Sequence, residues 1–554
     1  MKKFVASLAL AVALAVPAVC SAGGSASGPV VKNTVASSPV SGGGYPVPPG
    51  ATLPTPGTCG PISLNANHSE SWLAVKPGSE TLVGSSKFFV DRYSTYYDFY
   101  LGAYSMPNGS PAGNVQMPGF DCVSNGGTQA MPPDWTNNTD PNNDWDTKGR
   151  VYELNLPFNA YWSGGMHPNG AIALTYSDDN GKSWSQGNGG EYLDHLSNSI
   201  STTFGHVEDK QWIAVNHYAA SKNADHVYAM WTDFNGAAGN GKIMVAVSRD
   251  RGQSFSKPVQ LSSPSATTPA NTYVYPSVGA DGTVYVAFVS GYDTTNKNRV
   301  GHVYVSKSVD DGDTWGPFTI AASPVENPNG YLANTNFRDG IIENFTSSQT
   351  HPGHVYLTYE NYDATAGTMD VYFTQSTDGG NSWAQPTLVN DDARTGTTDQ
   401  FQPSVAAGPG NAVAVAFYDR RAACPTGDPS ISTPAAKNTC IAVTLQAYSD
   451  VGTAAGAVPV GANVNLSQYA WDPEQPLQTL GGLPQYPCAG HANPCPSGRG
   501  FIGDYFGLGI SGKNVYALSV TTHYPASAVR ADDGGPVYYQ QQVLATIARS
   551  SLGL

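Results

Sequence analysis

The sequence predicts an all-β fold assembled from repeats of one supersecondary unit. The main evidence is a motif that occurs four times: Ser, any residue, Asp, any residue, Gly, any residue, Ser or Thr, and an aromatic residue. The copies span residues 177–184, 248–255, 308–315 and 376–383, and their Asp residues lie 71, 60 and 68 positions apart. Composition agrees, because 61 Gly and 31 Tyr accompany only 12% charged residues. Recurrence at such a spacing is typical of a repeat architecture.

The motif has the chemistry of a hairpin turn. Its Asp carboxylate can accept hydrogen bonds from backbone N–H groups, and its Gly supplies a positive φ. The aromatic residue can pack back under the turn. We therefore expect every copy to be structural and to join the third and fourth strands of its repeat.

These motifs are Asp boxes, and with them the chain resembles the sialidase-like (BNR-repeat) β-propellers over about residues 60–554. The resemblance implies a β-propeller. Between the boxes, segments with small residues precede alternating strands, as Trp212–Val215 precedes Val227–Trp231. Small residues suit the crowded innermost strand of a blade, and alternation suits the second strand. Seven blades are favoured over six, near residues 65–120, 121–200, 205–262, 270–322, 335–390, 400–465 and 480–550.

The chain is expected to have three parts. Residues 1–22, with two Lys before an apolar run, are typical of a secretory signal peptide. Residues 23–57 are rich in Gly, Ser and Pro and predict a flexible leader, and residues 58–554 form the propeller domain. No other segment is apolar enough to span a membrane. The predicted location is outside the cell, in the periplasm or at the cell surface.

Six cysteines remain after the signal peptide, which suggests disulfides in an exported chain. Local loop closure favours the pairs Cys424–Cys440 and Cys488–Cys495, which leaves Cys59–Cys122. The net charge of −15 and the pI near 5.0 argue against a nucleic-acid partner. A glycan or another extracellular ligand is expected instead, and the oligomeric state is left open.

Candidate site residues lie where the innermost strands start and the second strands end, because these positions share one face of a propeller. Carboxylates, guanidinium groups and phenols converging there would suit a sugar pocket. Glu70 and Gln402 are among these positions. The predicted catalytic residues are Asp419, Asp504, Tyr505 and Glu360. The predicted substrate-binding residues are Arg338, Arg420, Arg421 and Arg499.

Sialidases hold a substrate carboxylate with three Arg and use a Tyr nucleophile, a Glu and an Asp. The chain order of Glu343 or Glu360, Arg420 or Arg421, Arg499 and Tyr505 is compatible with that set. The Arg-Ile-Pro motif that carries the first Arg is absent, which argues against sialidase activity proper. The resemblance thus favours a glycoside hydrolase or polysaccharide lyase. The alternative is a non-catalytic glycan- or protein-binding propeller at the cell surface.

One segment has the alternating oxygen ligands of a calcium loop. Its candidate ligands are Asp140, Asn142, Asp144 and Asp146. Trp145 stands where an EF-hand needs Gly, so a solvated Asn/Asp-rich loop is the competing interpretation. No other cofactor or metal is expected.

Overall fold

The computed structural model describes residues 29–37, 67–89, 99–117, 137–159, 169–195, 206–235, 240–261, 271–290, 300–327, 330–335, 337–340, 343–392, 397–473, 501–529, 536–538 and 540–554. These residues form seven antiparallel sheets, which follow one another along the chain, and one short hairpin. The arrangement is a seven-bladed β-propeller, so both the predicted fold class and the favoured blade number are confirmed.

The first three blades use strands in simple succession, after strand β1 (Val31–Val35) has entered the last blade. Blade one contains β2 (Asn67–Val75), β3 (Leu82–Phe89), β4 (Phe99–Met106) and β5 (Gly113–Gln116). Blade two contains β6 (Asn137–Thr139), β7 (Asn143–Trp145), β8 (Val151–Asn159), β9 (Asn169–Ser177), β10 (Ser185–Gln186) and β11 (Asp194–His195). Blade three contains β12 (His206–Val215), β13 (Val227–Asn235), β14 (Asn240–Ser248) and β15 (Val259–Gln260).

The next three blades repeat the four-stranded plan. Blade four contains β16 (Asn271–Val278), β17 (Val284–Ser290), β18 (His302–Ser308) and β19 (Thr319–Ala322). Blade five contains β20 (Glu343–Ser347), β21 (Val355–Asp363), β22 (Thr368–Ser376) and β23 (Thr387–Leu388). Blade six contains β24 (Gln400–Ala407), β25 (Ala412–Asp419), β26 (Ala442–Asp450) and β27 (Ala457–Asn465).

The seventh blade closes the ring with strands from both ends of the chain. It contains β28 (Gly507–Ile510), β29 (Asn514–Thr521) and β32 (Gln541–Ala548), with β1 as its outermost strand. Strands β30 (Pro525–Val529) and β31 (Pro536–Tyr538) form the separate hairpin. Short 3-10 helices span Pro107–Gly109, Asn188–Gly190 and Arg549–Leu552.

The predicted flexible leader is wrong for residues 31–35. Val31 to Val35 pair in antiparallel register with Ile547 to Val543, and Val31 packs against the hydrophobic core. The segment Val-Lys-Asn-Thr-Val suits an edge strand, because β-branched residues fit a pleated, half-buried surface. The predicted signal peptide, residues 1–22, lies outside the described residues.

Three copies of the box motif lie between the third and fourth strands of their blades, as predicted, and the copy at residues 177–184 lies between the equivalent strands β9 and β10 of the six-stranded blade two. In the first copy, the Ser177 hydroxyl donates to Asp179 and accepts from the Gly181 amide at 2.8 Å. Asp179 also accepts from the Ser183 amide at 2.9 Å and from its hydroxyl at 2.6 Å. The carboxylate thus replaces the backbone partners that this tight turn lacks.

The hydrophobic core lies between neighbouring blades. One cluster joins Leu154 and Leu174 of blade two to Ile213 and Trp231 of blade three. Small residues allow the faces to approach, because a Cβ on Gly84 of blade one would lie 2.6 Å from Leu518 Cδ2 of blade seven. Packing between faces therefore holds the blades around the axis.

The predicted disulfide between Cys424 and Cys440 is present and closes the loop after β25. Cys59, Cys122, Cys488 and Cys495 lie outside the described residues. Within the described ranges, no helix has the length and apolar character needed to cross a membrane.

Candidate active site at the axial mouth

Four of the innermost strands share an irregularity near their first residues. Strands β2, β12, β16 and β24 each shift register against their neighbours near their start. The residues at these bulges have positive φ although none is glycine: Glu70, Lys210, Tyr273 and Gln402. Asp140, between β6 and β7, has the same conformation with a φ of 56°. Such backbone costs about 1–3 kcal/mol per residue and concentrates at functional sites.

These bulges bring charged side chains from several blades together across the axis. Six of them form a chain of alternating charge: Arg338, Asp504, Lys210, Asp140, Lys87 and Glu70. We call this chain the axial charge chain. Its shortest links are Arg338 to Asp504 at 2.5 Å, Lys210 to Asp504 at 2.6 Å and Lys87 to Glu70 at 2.6 Å.

The axial charge chain runs from solvent into the protein. The side chain of Arg338 is 37% exposed and that of Lys210 is 12% exposed, whereas Glu70 at the far end is fully buried. The ring of Phe501 lies 4.6 Å from both the Lys87 ammonium and the Arg338 guanidinium. A ring face between two cations stabilises both electrostatically.

The surroundings displace the carboxyl pKa values in opposite directions. Burial raises the pKa of Glu70 to about 8, Asp140 adds to this effect, and Lys87 offsets only part of it. Burial also acts against ionised Asp140, but Lys210 and Lys87 outweigh it and lower the pKa of Asp140 to about 2. The pKa of Asp504 is likewise held well below its usual range, since Arg338 and Lys210 outweigh burial.

Glu70 and Asp140 are therefore neighbours whose carboxyl pKa values are shifted in opposite directions. Lys87 Nζ lies 2.6 Å from a Glu70 oxygen and 3.9 Å from an Asp140 oxygen. These two oxygens are consequently no more than roughly 6.5 Å apart, which is compatible with the spacing of paired glycosidase carboxyl groups. One group holds a proton at neutral pH while the other is ionised.

An aromatic cluster lies next to the charge chain and divides the axis into two cavities. It consists of Trp72, Trp212, Tyr275 and Tyr505, and its ring centroids are 4.5–6.3 Å apart. On one side is a small cavity of about 10 Å³ lined by Asp140, Lys210 and Tyr505 among others. On the other side, a larger cavity of about 150 Å³ follows the later halves of the innermost strands.

Three of the residues selected from the sequence are at this mouth. Arg338 donates two hydrogen bonds to Asp504, as expected for neighbours. Asp504 is a poor base in this setting, because its two cationic partners favour the ionised, weakly basic form. Tyr505 donates its hydroxyl to the Pro141 carbonyl at 3.0 Å, and burial raises its pKa well above the usual value. Both features oppose a role for Tyr505 as nucleophile.

Glu360 is a buried residue that contacts the bulge at Gln402. It is fully buried and accepts a hydrogen bond from the Gln402 amide at 2.8 Å. Gln402 in turn donates from its side chain to the Gly503 carbonyl at 2.9 Å. Burial raises the pKa of Glu360 well above its usual value, and its carboxyl group already has an internal partner. We interpret it as a residue that positions the bulge at Gln402.

The other three described candidates have partners in blade six, in its disulfide loop and in the segments that flank blade five. Arg420 is fully buried and pairs with Asp399 at 2.9 Å and with the carbonyls of Ala333 and Asn438. This guanidinium fastens the disulfide loop and cannot also hold a substrate. Asp419 accepts from Gln400 and Arg421. Arg421 also pairs with Asp391 at 2.7 Å. The two adjacent Arg thus have structural partners.

Arg499 lies outside the described residues. The four calcium candidates are all described, and their side chains have separate partners. Asp140 contacts Lys87 and Lys210, whereas Asp146 pairs with Arg251 at 2.6 Å. Asn142 donates to three carbonyls. In the described part of the chain, no group of three or more His, Cys, Asp or Glu side chains could hold a metal ion.

Three residues of this site were not predicted from the sequence: Lys87, Lys210 and Tyr273. A signal for Lys210 exists, because it precedes Trp212 by the same two positions by which Glu70 precedes Trp72. Glu70 was recognised as a strand start but was not selected, and Asp140 was considered only as a calcium ligand. The alignment of repeats therefore contained a signal for Glu70 and Lys210 that the prediction of site residues did not use.

The molecule is a seven-bladed β-propeller with a buried charge chain at the mouth of its axis. No protein-family model and no curated protein matches the chain. Three similar solved structures are a leech intramolecular trans-sialidase, an α-L-arabinofuranosidase from Fusarium graminearum and a polysaccharide lyase described as an ulvan lyase.

Identity to these three structures is 10%, 13% and 11%, and their TM-scores are 0.38, 0.37 and 0.40. The matches cover 63%, 75% and 82% of this chain, and 64%, 94% and 92% of the respective structures. At these values the likeness concerns the propeller architecture alone.

Proposed function

We propose that this protein is a carbohydrate-active propeller that cleaves a glycosidic bond at the axial mouth, with Glu70 as proton donor and Asp140 as its ionised partner. The observation that carries the proposal is the opposite displacement of two neighbouring carboxyl pKa values, to about 8 and about 2. Pairs of carboxyl groups separated in this way perform acid and base roles in glycosidases.

The chemistry follows from the two protonation states. Cleavage of a glycosidic bond needs a proton on the leaving oxygen, and Glu70 holds one at neutral pH. The sugar ring develops positive charge in the transition state, which the ionised Asp140 would stabilise while water adds to the anomeric carbon and the bond to the leaving oxygen breaks. After proton transfer, the Lys87 ammonium at 2.6 Å would stabilise the new Glu70 carboxylate. The proton released by the added water then restores the protonated Glu70.

Hydrolysis fits this arrangement better than elimination by a lyase. A lyase needs a general base that removes a carbon-bound proton, and Tyr is one side chain that can serve. The pKa of Tyr505 is raised well above its ordinary value and its proton is donated to Pro141, so it is poorly suited to that task. The Glu70 and Asp140 pair supplies an acid and a carboxylate instead.

The exposed end of the axial charge chain would meet the substrate first. Arg338 is its most exposed member, and its guanidinium group can bind an acidic sugar substituent while it remains paired with Asp504. An anionic glycan is therefore the expected substrate class. The specific sugar and linkage are questions for the experiment below.

The alternative is a propeller that binds glycans without cleaving them. Two observations favour it: Glu70 is fully buried, and the small cavity beside Asp140 and Tyr505 has a volume of only about 10 Å³. Pockets for drug-sized ligands usually have about 300–1,000 Å³. A ligand restricted to Arg338 and Lys210 would be bound but would not reach the proton donor.

We further propose that the protein acts outside the cytoplasm. The predicted signal peptide and the Cys424–Cys440 disulfide support this location, because disulfides persist in oxidising compartments. An extracellular glycan is then the expected partner. With a net charge of −15, the surface is unsuited to nucleic acid.

The direct test is turnover of a panel of acidic and neutral glycans by the wild type and by Glu70→Gln. Glu191→Gln is the matched control, because Glu191 is exposed on blade two. We expect wild type and control to cleave an acidic glycan, and Glu70→Gln to lose about 100-fold or more in kcat. Binding without cleavage by the wild type would support the alternative. Equal cleavage by all three proteins would contradict the assignment of Glu70.

A further inference from the structure

The larger axial cavity lies beyond the aromatic cluster, on the side away from the axial charge chain. It has a volume of about 150 Å³ and is surrounded by inner strands from all seven blades. Trp72 and Trp212 line it and also belong to the aromatic cluster. This cavity is distinct from the proposed active site, and nothing in the proposed reaction uses it.

One carboxylate gives this cavity its charge. Asp144 lines the cavity and accepts hydrogen bonds at 2.8 Å from the amides of Trp145 and Val215. Its ionic neighbour is His217, whose Nδ1 lies 3.9 Å away, beyond hydrogen-bond distance. Among the described residues that line the cavity there is no lysine or arginine. Ionised Asp144 therefore lacks a permanent counter-charge, and burial raises the pKa of its carboxyl group.

Two polar atoms in the same part of the cavity wall have no hydrogen-bond partner. Both Asn143 Oδ1 and His217 Nδ1 are buried without a hydrogen bond. Buried polar atoms are usually satisfied, and an unsatisfied one costs about 1–3 kcal/mol. Together with Asp144, these atoms are suited to a polar or cationic group that enters the cavity.

Aromatic side chains supply the rest of the recognition chemistry. Trp72 donates its indole N–H to the Asn143 carbonyl, so its ring lies close to Asp144. Tyr218 stacks obliquely on His217 at 4.7 Å and also lines the cavity, as do Trp212 and Phe345. Aromatic faces beside one carboxylate are the usual environment of a bound organic ammonium group.

We propose that this cavity binds a small organic cation of the alkylammonium class, with Asp144 as counter-ion and Trp72 and Tyr218 as aromatic walls. A free anion would be repelled by Asp144. A bare divalent metal is a poor alternative, because the described residues provide no group of three ligands. A neutral ligand would leave Asp144 without a counter-charge.

The test is calorimetric titration of the full-length protein with choline and with its neutral isostere 3,3-dimethylbutan-1-ol. We expect choline to bind at least about tenfold more tightly, since only the cation gains the attraction of the carboxylate and rings. Asp144→Asn should abolish this preference. Asp313→Asn, at an exposed position, is the control and should retain it.

A second variant guards against misfolding of Asp144→Asn. His217→Lys keeps the Asp144 carboxylate and its backbone hydrogen bonds but adds a permanent positive charge nearby. It should also weaken choline binding at least about tenfold. Failure of the wild type to bind choline, equal binding of the isostere, or unchanged binding by both variants would overturn the proposal. None of these results bears on glycan cleavage, which is measured separately.

Discussion

Lys210 of blade three and Asp504 at the start of blade seven form a 2.6 Å ion pair across the axis of the propeller. The two residues are 294 positions apart in sequence. Asp504 also pairs with Arg338, which precedes blade five, so one carboxylate joins three distant parts of the ring. Their mutual neutralisation allows three charges to lie in a largely buried site.

Removing this carboxylate should destabilise the fold. Asp504→Asn removes the carboxylate that Lys210 and Arg338 share and leaves Lys210 with the more distant Asp140, at an expected cost of about 3 kcal/mol. Chemical denaturation of the purified variant measures this loss. Asp178→Asn is the control, because its pair with Arg150 is 58% exposed on the Asp side and should contribute about 1 kcal/mol or less. Equal effects of the two changes would contradict the central role of Asp504.

The free energy of unfolding should depend on pH through Glu70. Its folded pKa of about 8 exceeds the ordinary value of 4.5, so the folded state holds one more proton between these pH values. The contribution of Glu70 therefore becomes less favourable as pH rises, by about 1 kcal/mol per unit. Relative to wild type, Glu70→Gln should gain stability from about pH 5 to pH 8. A difference that is constant over this range would refute the raised pKa.

The free energy of unfolding should also depend on pH through Asp140, but at low pH and in the opposite direction. Its folded pKa of about 2 is below its ordinary value of 3.8, so its stabilising contribution is present above about pH 4. This contribution is lost as pH falls towards 2. Acid unfolding followed by circular dichroism should therefore show a weaker pH dependence in Asp140→Asn than in wild type. Superimposable acid-unfolding curves would contradict the prediction.

The outermost strand of blade seven offers a test with adjacent residues. Val31 packs against the hydrophobic core, whereas Val30 is 80% exposed. Val31→Asp should lower stability by about 2 kcal/mol, because it places a charge on a partly buried strand. Val30→Asp should change stability by less than about 0.5 kcal/mol. Comparable thermal melting of both variants would argue against closure of the ring by β1.

The box turns depend on glycine in a left-handed conformation. Gly312 has a φ of 86°, and a Cβ there would lie 2.9 Å from Val247 Cγ2. Gly312→Ala should cost about 1–2 kcal/mol from backbone strain, with a further cost from the contact. Gly512→Ala is the control, since that position has ordinary φ and its nearest neighbour is 3.8 Å away. Urea titrations of both variants measure the difference.

The fold was predictable because its signal is local and repeated. Each box contains its own turn chemistry, and four copies fix the period of the blades. The Cys424–Cys440 pair was also predictable, because it closes a short loop. Strand β1 was missed because its partner, β32, is about 500 residues away and its neighbours in sequence are Gly and Ser.

The site was less predictable because side-chain direction at a bulge departs from strand alternation. A bulge adds a residue, so the period of two that predicts which side chains face the core fails there. Lys210 lies at such a bulge and was missed, although Glu70 occupies the equivalent position. Arg420 was predicted to hold substrate, but it follows strand β25 and turns inwards to Asp399. The positions of strand ends therefore predict which face of the propeller a residue lies on, but they do not predict which way its side chain points.

The pH dependence of kcat/KM for a cleaved acidic glycan tests the central claim most directly. If Glu70 donates its proton from the axial mouth, activity should fall above an apparent pKa of about 8, where the group ionises. Lys87→Met should shift this limb to higher pH, because the ammonium that favours ionised Glu70 is removed. A rate that stays constant through pH 9, or a falling limb that Lys87→Met leaves unmoved, would contradict the account.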